Sequence, residues 1–287
     1  MGPGLKLLAS IASTMLLTVA PLVNAVAAAG GYVAPRGPDG VRPDLNGIWQ
    51  AMNEANYDLE LHMARSALQE REGPHGPVPA KNVLALGAVG SVPPGMGVIK
   101  GEGSIPYTPE ALAKKKANQA NWAELDPEVK CYMPGVPRAT YMPQPFQIFQ
   151  GTNDIFIAYQ WAGAVRDIYM EDPGPPQVDS WMGQSVGRWE GDTMVVEATG
   201  FHGQAWLDRA GNHTSWKLKV TERYTPMSPY HLHYEATIED PETFTEPWTI
   251  EMPLYRRMEP DAQLMDFKCV EFVEELLYGE FRRHPLD

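Results

Sequence analysis

Polar and apolar positions in the second half of the chain alternate with the two-residue period of half-buried strands. From Phe146 the segments FQIFQ, IFIAYQWA and VRDIYME are separated only by GTND and GA, which predicts three strands joined by tight turns. A proline-rich loop, EDPGPPQVDSWMG, follows. SVGRW and TMVVEATGF then flank the turn EGD, and residues 215–225, HLHYEATIED and PWTIEMPLYRRM each alternate again. One short strand candidate, DLNGIWQAM, lies far upstream. Eight or so sequential antiparallel strands with short links either close into an up-and-down barrel or leave exposed edges, so closure is expected.

The remaining segments follow other periods. In CVEFVEELLYGEF, residues Cys269, Phe272, Val273, Leu276, Leu277 and Phe281 recur at helical spacing, predicting a C-terminal helix against the barrel. Residues 53–71 place Tyr57, Leu61, Ala64 and Leu68 on one helical face. Thr108-Pro109-Glu110 combines a hydroxyl N-cap with proline at the first helical position, and that helix should run to about Leu125. Residues 72–107 are dense in Gly, Pro, Ala and Val with few charges, which predicts an ordered, irregular wrap. The expected organisation is residues 1–29 as a leader, 30–144 as first strand, helices and wrap, and 145–287 as barrel with terminal helix. Residues from about 45 onward would make one domain.

The leader changes the compartment. Lys6 precedes the apolar run LLASIASTMLLTVAPLV and the small residues NAVAAAGG, the pattern of a cleaved export signal. A periplasmic or secreted protein is expected, with no stable membrane insertion after cleavage. There the pair Cys131 and Cys269, the only cysteines, is most simply a disulfide; two buried thiols are the alternative. The formal net charge of −13 argues against a nucleic-acid partner, because phosphate binding needs a basic surface. No glycine-rich βα fingerprint points to a nucleotide, and no cofactor is expected.

Candidate chemistry gathers around the loop and strand WLDRAGNHTSWKLKVTERY. Trp216, Leu218 and Val220 form an inward row that ends on Glu222, so a carboxylate is expected inside the barrel. Arg166, in the row Ala164, Arg166, Ile168, Met170, is its natural partner, either as a ligand anchor or as a register-fixing pair. Asp208 and His213 precede that strand, and a carboxylate orienting an imidazole is a general-base arrangement; ordinary turn chemistry is the competing reading. Trp181, Met182, Gln184 and Trp206 in loops, with Tyr169, would line a pocket mouth. His231, His233 and Glu235 share one side of a strand and form a weaker metal candidate.

Gly47-Ile48-Trp49 resembles the G-x-W signature of lipocalin and calycin barrels, which implies a lipocalin-like fold. More of the chain, in DPEVKCYMPGVPR, SWMGQSVGRWEGDTMVVEATGF and WLDRAGNHTSWKLKVTERY, is similar to a widespread group of uncharacterised exported bacterial proteins. That resemblance implies the compartment and the barrel and brings no reaction. The functional expectation is a pocket for a small, largely apolar or aromatic molecule. Cofactor-free acid–base chemistry by His213, Asp208, Glu222 and Arg166 would accompany it if the protein is an enzyme: isomerase, lyase or hydrolase. A non-catalytic carrier or an envelope module with a protein partner is the alternative.

Overall fold

The computed structural model describes residues 1–2, 32–101 and 103–281. The expected export signal, residues 1–29, lies outside the described residues apart from its first two. The described residues from Val33 onward belong to one compact unit. That unit contains a closed barrel of nine strands: β1 (Gly47–Ala51), β2 (Phe146–Gln150), β3 (Ile155–Tyr159), β4 (Val165–Tyr169), β5 (Gln184–Glu190), β6 (Thr193–Thr199), β7 (Lys219–Ser228), β8 (His231–Glu239) and β9 (Trp248–Arg256). Strands β2 to β9 pair with their sequence neighbours, and β1 closes the ring by pairing with both β9 and β2.

The ring is not wholly antiparallel. Strands β4 and β5 run in the same direction, with Ile168 opposite Ser185 and Tyr169 opposite Val186. Directions can alternate around a closed ring only if the number of strands is even, so a ring of nine needs one same-direction pair. The link from Met170 to Gly183, read above only as a proline-rich loop, carries the chain back to the end where β4 began. The expected antiparallel up-and-down topology is corrected at this one place.

Alternation places one row of each strand inside. Phe146, Ile148, Ile157, Met194, Val196, Tyr224, Tyr234, Ala236 and Ile250 are fully buried. Residues on the opposite face, such as Phe156 and Val165, are exposed. Burial of each large apolar side chain contributes on the order of 1.5–3 kcal/mol. Strand β7 starts at Lys219, later than expected, so Trp216 lies in the preceding turn and is 58% exposed. The inward row is therefore Leu218, Val220, Glu222, Tyr224.

The seam between β1 and β9 has a specific lock. Trp49 lies opposite Arg256 in the register, and the guanidinium stacks over the indole at 4.2 Å. The indole N–H donates to Leu45 O at 3.0 Å, and Arg256 Nη1 donates to Asn46 O at 2.5 Å. Gly47 has φ of 141°, and a Cβ there would run into the Arg256 guanidinium. The glycine of the G-x-W tripeptide is thus favoured twice, by its positive φ and by the close passage of this arginine.

The wrap differs from expectation in one segment. Residues 53–71 form no α-helix; they zip against residues 90–98. Val98 N donates to Leu59 O, His62 and Gly95 exchange a pair of backbone bonds, and Arg65–Ser66 ladders with Ser91–Val92. Glycine permits the approach, because a Cβ at Gly97 would lie 2.7 Å from Leu61 N. Backbone pairing with a distant segment outcompetes the helical period, and Leu61 is left exposed. The wrap then covers strand β9, with Lys100 N donating to Thr249 O and Glu251 N to Val98 O.

The helix announced by its capping signal is present: Thr108 accepts a bond from Ala111 N and caps α2 (Pro109–Ala120), whereas the short helices α1 (Lys81–Leu86) before it and α3 (Trp122–Leu125) after it have no side-chain cap. The terminal helix, α4 (Val273–Tyr278), is only six residues long, and Leu276 and Leu277 point to solvent. The expected apolar face on the barrel is not made. What fixes this segment is the disulfide Cys131–Cys269, with Cα atoms 5.7 Å apart, and Phe272 N donating to Val129 O.

Candidate functional site

Inside the barrel, Arg166 on β4 reaches across the hollow to Glu222 on β7. Arg166 Nε also donates to Ser185 Oγ at 2.6 Å. The other Glu222 oxygen accepts from the hydroxyls of Tyr224 (3.0 Å) and Tyr234 (2.7 Å). All five residues are buried. Burial, then the charge of Glu222, pushes both tyrosine hydroxyls well above their usual range, so they remain neutral donors. The expected arginine–carboxylate partnership is present as geometry. Ile157 lies opposite Arg166 and Met194 opposite Tyr224 in the strand register, both buried, and Arg166 Nη1 is buried with no hydrogen-bond partner.

Asp208 and His213 lie in the long connection between β6 and β7, under α2. They do not form the expected dyad. The Asp208 carboxylate accepts from Leu59 N (2.9 Å), Ala210 N (2.9 Å), Asn212 N (3.3 Å) and Asn212 Nδ2 (2.5 Å). No acceptor capacity is directed to the imidazole. Burial, helped by neighbouring Asp58, pushes Asp208 up to about 7. His213 is also buried, its Nδ1 has no partner, and its ring stacks on Tyr107 with centroids 6.0 Å apart. Burial, then Lys114, lowers it to about 4, so it is neutral at physiological pH. The connection is pinned to α2: Asn118 Nδ2 donates to Gly211 O at 3.2 Å, and a Cβ on Gly211 would meet the helix backbone.

The aromatic candidates do not share one mouth. Trp206 is buried and bridges to His213 through the backbone. Met182 is buried in the core. Trp181 is half-buried, edge-on to His202 at 4.2 Å and tilted against Tyr132 at 5.1 Å. Gln184 donates to Gly174 O at 2.7 Å. Tyr169 faces outward and is 45% exposed. It borders a depression of about 760 Å³ that also carries Asp39, Asp154 and Asp167.

The metal candidate is rearranged. His231 turns away to Ser228 Oγ at 2.7 Å, and Glu251 of β9 joins His233 and Glu235. Lys100 from the wrap supplies positive charge there, pairing with Glu235 and lying 3.4 Å from Glu251.

Two features escaped the sequence reading. The first is a buried ion network. Arg138 donates to both oxygens of Asp126 (2.8 and 3.0 Å), to Glu128 Oε2 (2.7 Å) and, through Nε, to Asn56 Oδ1 (2.8 Å). Arg209 takes the same Glu128 in a two-pronged contact, 2.7 and 2.9 Å. Burial alone would raise Glu128, but Arg209 and Arg138 overcome it and hold it at about 2. Asp126-Pro127-Glu128 reads as helix-start chemistry in sequence, and Arg209 as part of an ordinary turn. Single charged residues in irregular chain leave no periodic trace.

The second feature is a crevice of about 590 Å³ between the wrap, the α2–α3 corner and α4. Tyr57, Trp122, Tyr278 and aliphatic residues of the wrap give it apolar walls, with Arg65, Lys116, Arg209 and Glu274 among them. The Arg209 guanidinium lies over the rings of both Tyr57 (5.4 Å) and Trp122 (5.3 Å), fixed from behind by Glu128. Aromatic faces, a rigid cation and this volume are the ordinary make-up of a small-molecule site.

No family model, curated protein or solved structure matches the chain.

Proposed function

We propose that this is an exported protein that binds a small, largely apolar or aromatic molecule, and that the molecule sits in the crevice beside Arg209. One observation carries the reading: a cavity of about 590 Å³ whose walls combine Tyr57, Trp122 and Tyr278 with a guanidinium immobilised on two rings. The volume lies within the range of about 300–1,000 Å³ typical of small-ligand sites. A preformed, rigid wall lowers the ordering cost of binding. The disulfide and the leader pattern support action outside the cytoplasm. On this reading the barrel serves as scaffold, its inward rows being buried side chains. Catalysis through His213 is not part of the proposal, since Asp208 is fully engaged elsewhere.

The test is calorimetric titration of the purified full chain with a panel of small aromatic and aliphatic compounds. A binder should emerge whose affinity falls on the order of tenfold or more in Trp122→Ala, with the melting temperature little changed. Binding that ignores Trp122→Ala would move the site elsewhere and sink the assignment.

A second reading has its own observation. Leu61, Met63 and Met96 are all exposed, and the pairing of His62 with Gly95 brings their segments together. Such clustered apolar exposure suits a protein partner. Under this reading Met63→Glu would abolish capture of that partner and leave small-molecule binding untouched.

A further inference from the structure

The charges of the crevice say more about its occupant. Arg65 is answered by Asp58 at 3.3 Å, and Arg209 by Glu128 beneath it. This leaves Lys116 and Glu274 as the remaining charged groups of the lining. Glu274, on the short helix α4, places its carboxylate on Arg209 Nη1 at 3.1 Å and is itself 36% exposed. A carboxylate from the chain's own C-terminal segment therefore already occupies the crevice-facing edge of the guanidinium. That edge is a charge-assisted donor held rigid by two rings and by Glu128. When Glu274 withdraws, Arg209 Nη1 is left as an unused charge-assisted donor, and Lys116 is the cation of the lining with no carboxylate answering it among the described residues, both beside apolar walls.

We propose that the crevice takes an aromatic or apolar carboxylate, its ring against Tyr57 and Trp122 and its carboxylate replacing Glu274 on Arg209, with Lys116 as second cation. This inference rests on the crevice being the ligand site and adds the chemical class of ligand and a built-in competitor. Glu274 then acts as an internal stand-in: it keeps the arginine satisfied when the site is empty and leaves when a better-placed anion arrives. The geometry allows this exchange at small cost, because Glu274 is partly solvated and α4 is six residues long with its two leucines exposed.

A matched pair of probes separates this inference from the reading beneath it. The intact protein is titrated with 2-naphthoate and with its neutral counterpart 2-naphthamide. The carboxylate should bind on the order of tenfold tighter than the amide. Glu274→Gln should tighten naphthoate several-fold and leave naphthamide unchanged, and Lys116→Ala should weaken naphthoate alone. Rising salt should weaken naphthoate selectively. Equal affinity for the two probes, unaltered by Glu274→Gln, would overturn the anion assignment and leave the crevice reading standing. Failure of both probes to bind wild type and Glu274→Gln alike would overturn both.

Discussion

Arg166 and Glu222 meet across the hollow of the barrel, from strands separated by two others. The pair therefore ties together β4 and β7, which share no backbone bonds, and it spans the part of the ring that includes the single same-direction strand pair. A buried pair of this kind is weak evidence for net stability, since desolvation offsets much of the attraction. Removing one partner is different, because it strands the other charge among packed side chains. Arg166→Met should destabilise the fold by about 3–5 kcal/mol, and the double variant Arg166→Met/Glu222→Leu should recover a large part of that loss. Urea denaturation of the four members of the cycle measures it. Additive losses would mean that the two residues act separately.

Gly47 should accept a side chain only at a cost in stability. Alanine there would sit at φ of 141° and push against the Arg256 guanidinium. Gly47→Ala is expected to cost about 1–3 kcal/mol from strain and overpacking together. Arg256→Lys, which keeps the charge but loses the planar stack on Trp49, should alter the near-ultraviolet dichroism of the buried indole. An unchanged melting temperature in Gly47→Ala would contradict this account of the seam.

The barrel was legible in the sequence because each strand buries one face and alternation reports that burial directly. The inward positions of Arg166 and Glu222 followed from the same rule. What alternation cannot report is direction, so the return path through Met170–Gly183 and the same-direction pairing of Ile168 with Ser185 were missed. The period of Tyr57, Leu61, Ala64 and Leu68 was misleading, since hydrogen bonds to Gly95 and Val98, some thirty residues away, decide that segment's form. Asp208 and His213 are close in sequence, but four donors, three of them backbone N–H groups, claim the carboxylate first. The Arg138 and Arg209 network depends wholly on tertiary placement, as does the crevice assembled around Arg209.

The Cys131–Cys269 bond closes a loop of 138 residues and anchors the terminal segment that carries Glu274. Chain entropy sets its contribution at about 4–5 kcal/mol, an upper figure because the unfolded chain retains structure. Reduction, or the double change to serine, should lower the urea midpoint by a corresponding amount. It should also make the region around α4 exchange amide hydrogens faster than the barrel strands do. Uniform acceleration across β2 to β9 would instead place the effect in global unfolding alone.

Two buried carboxyls should give the stability curve opposite slopes at different pH. Glu128 is held at about 2 against an ordinary value of 4.5. A depressed value means the folded state favours the carboxylate. Its contribution is complete above 4.5 and is lost as pH falls toward about 2. Asp208 stands at about 7 against 3.8. A raised value means the folded state favours the protonated form. Its contribution is complete below 3.8 and is lost as pH rises toward about 7. Glu128→Gln, which leaves Arg138 and Arg209 short of one charge, should cost about 3–5 kcal/mol near neutrality, with the gap to wild type narrowing below pH 4.5. Asp208→Asn should show the reverse, gaining on wild type as pH rises between 3.8 and about 7. Urea denaturation across that pH series measures both differences. Curves that stay parallel to wild type would show that neither carboxyl titrates differently in the folded and unfolded chain.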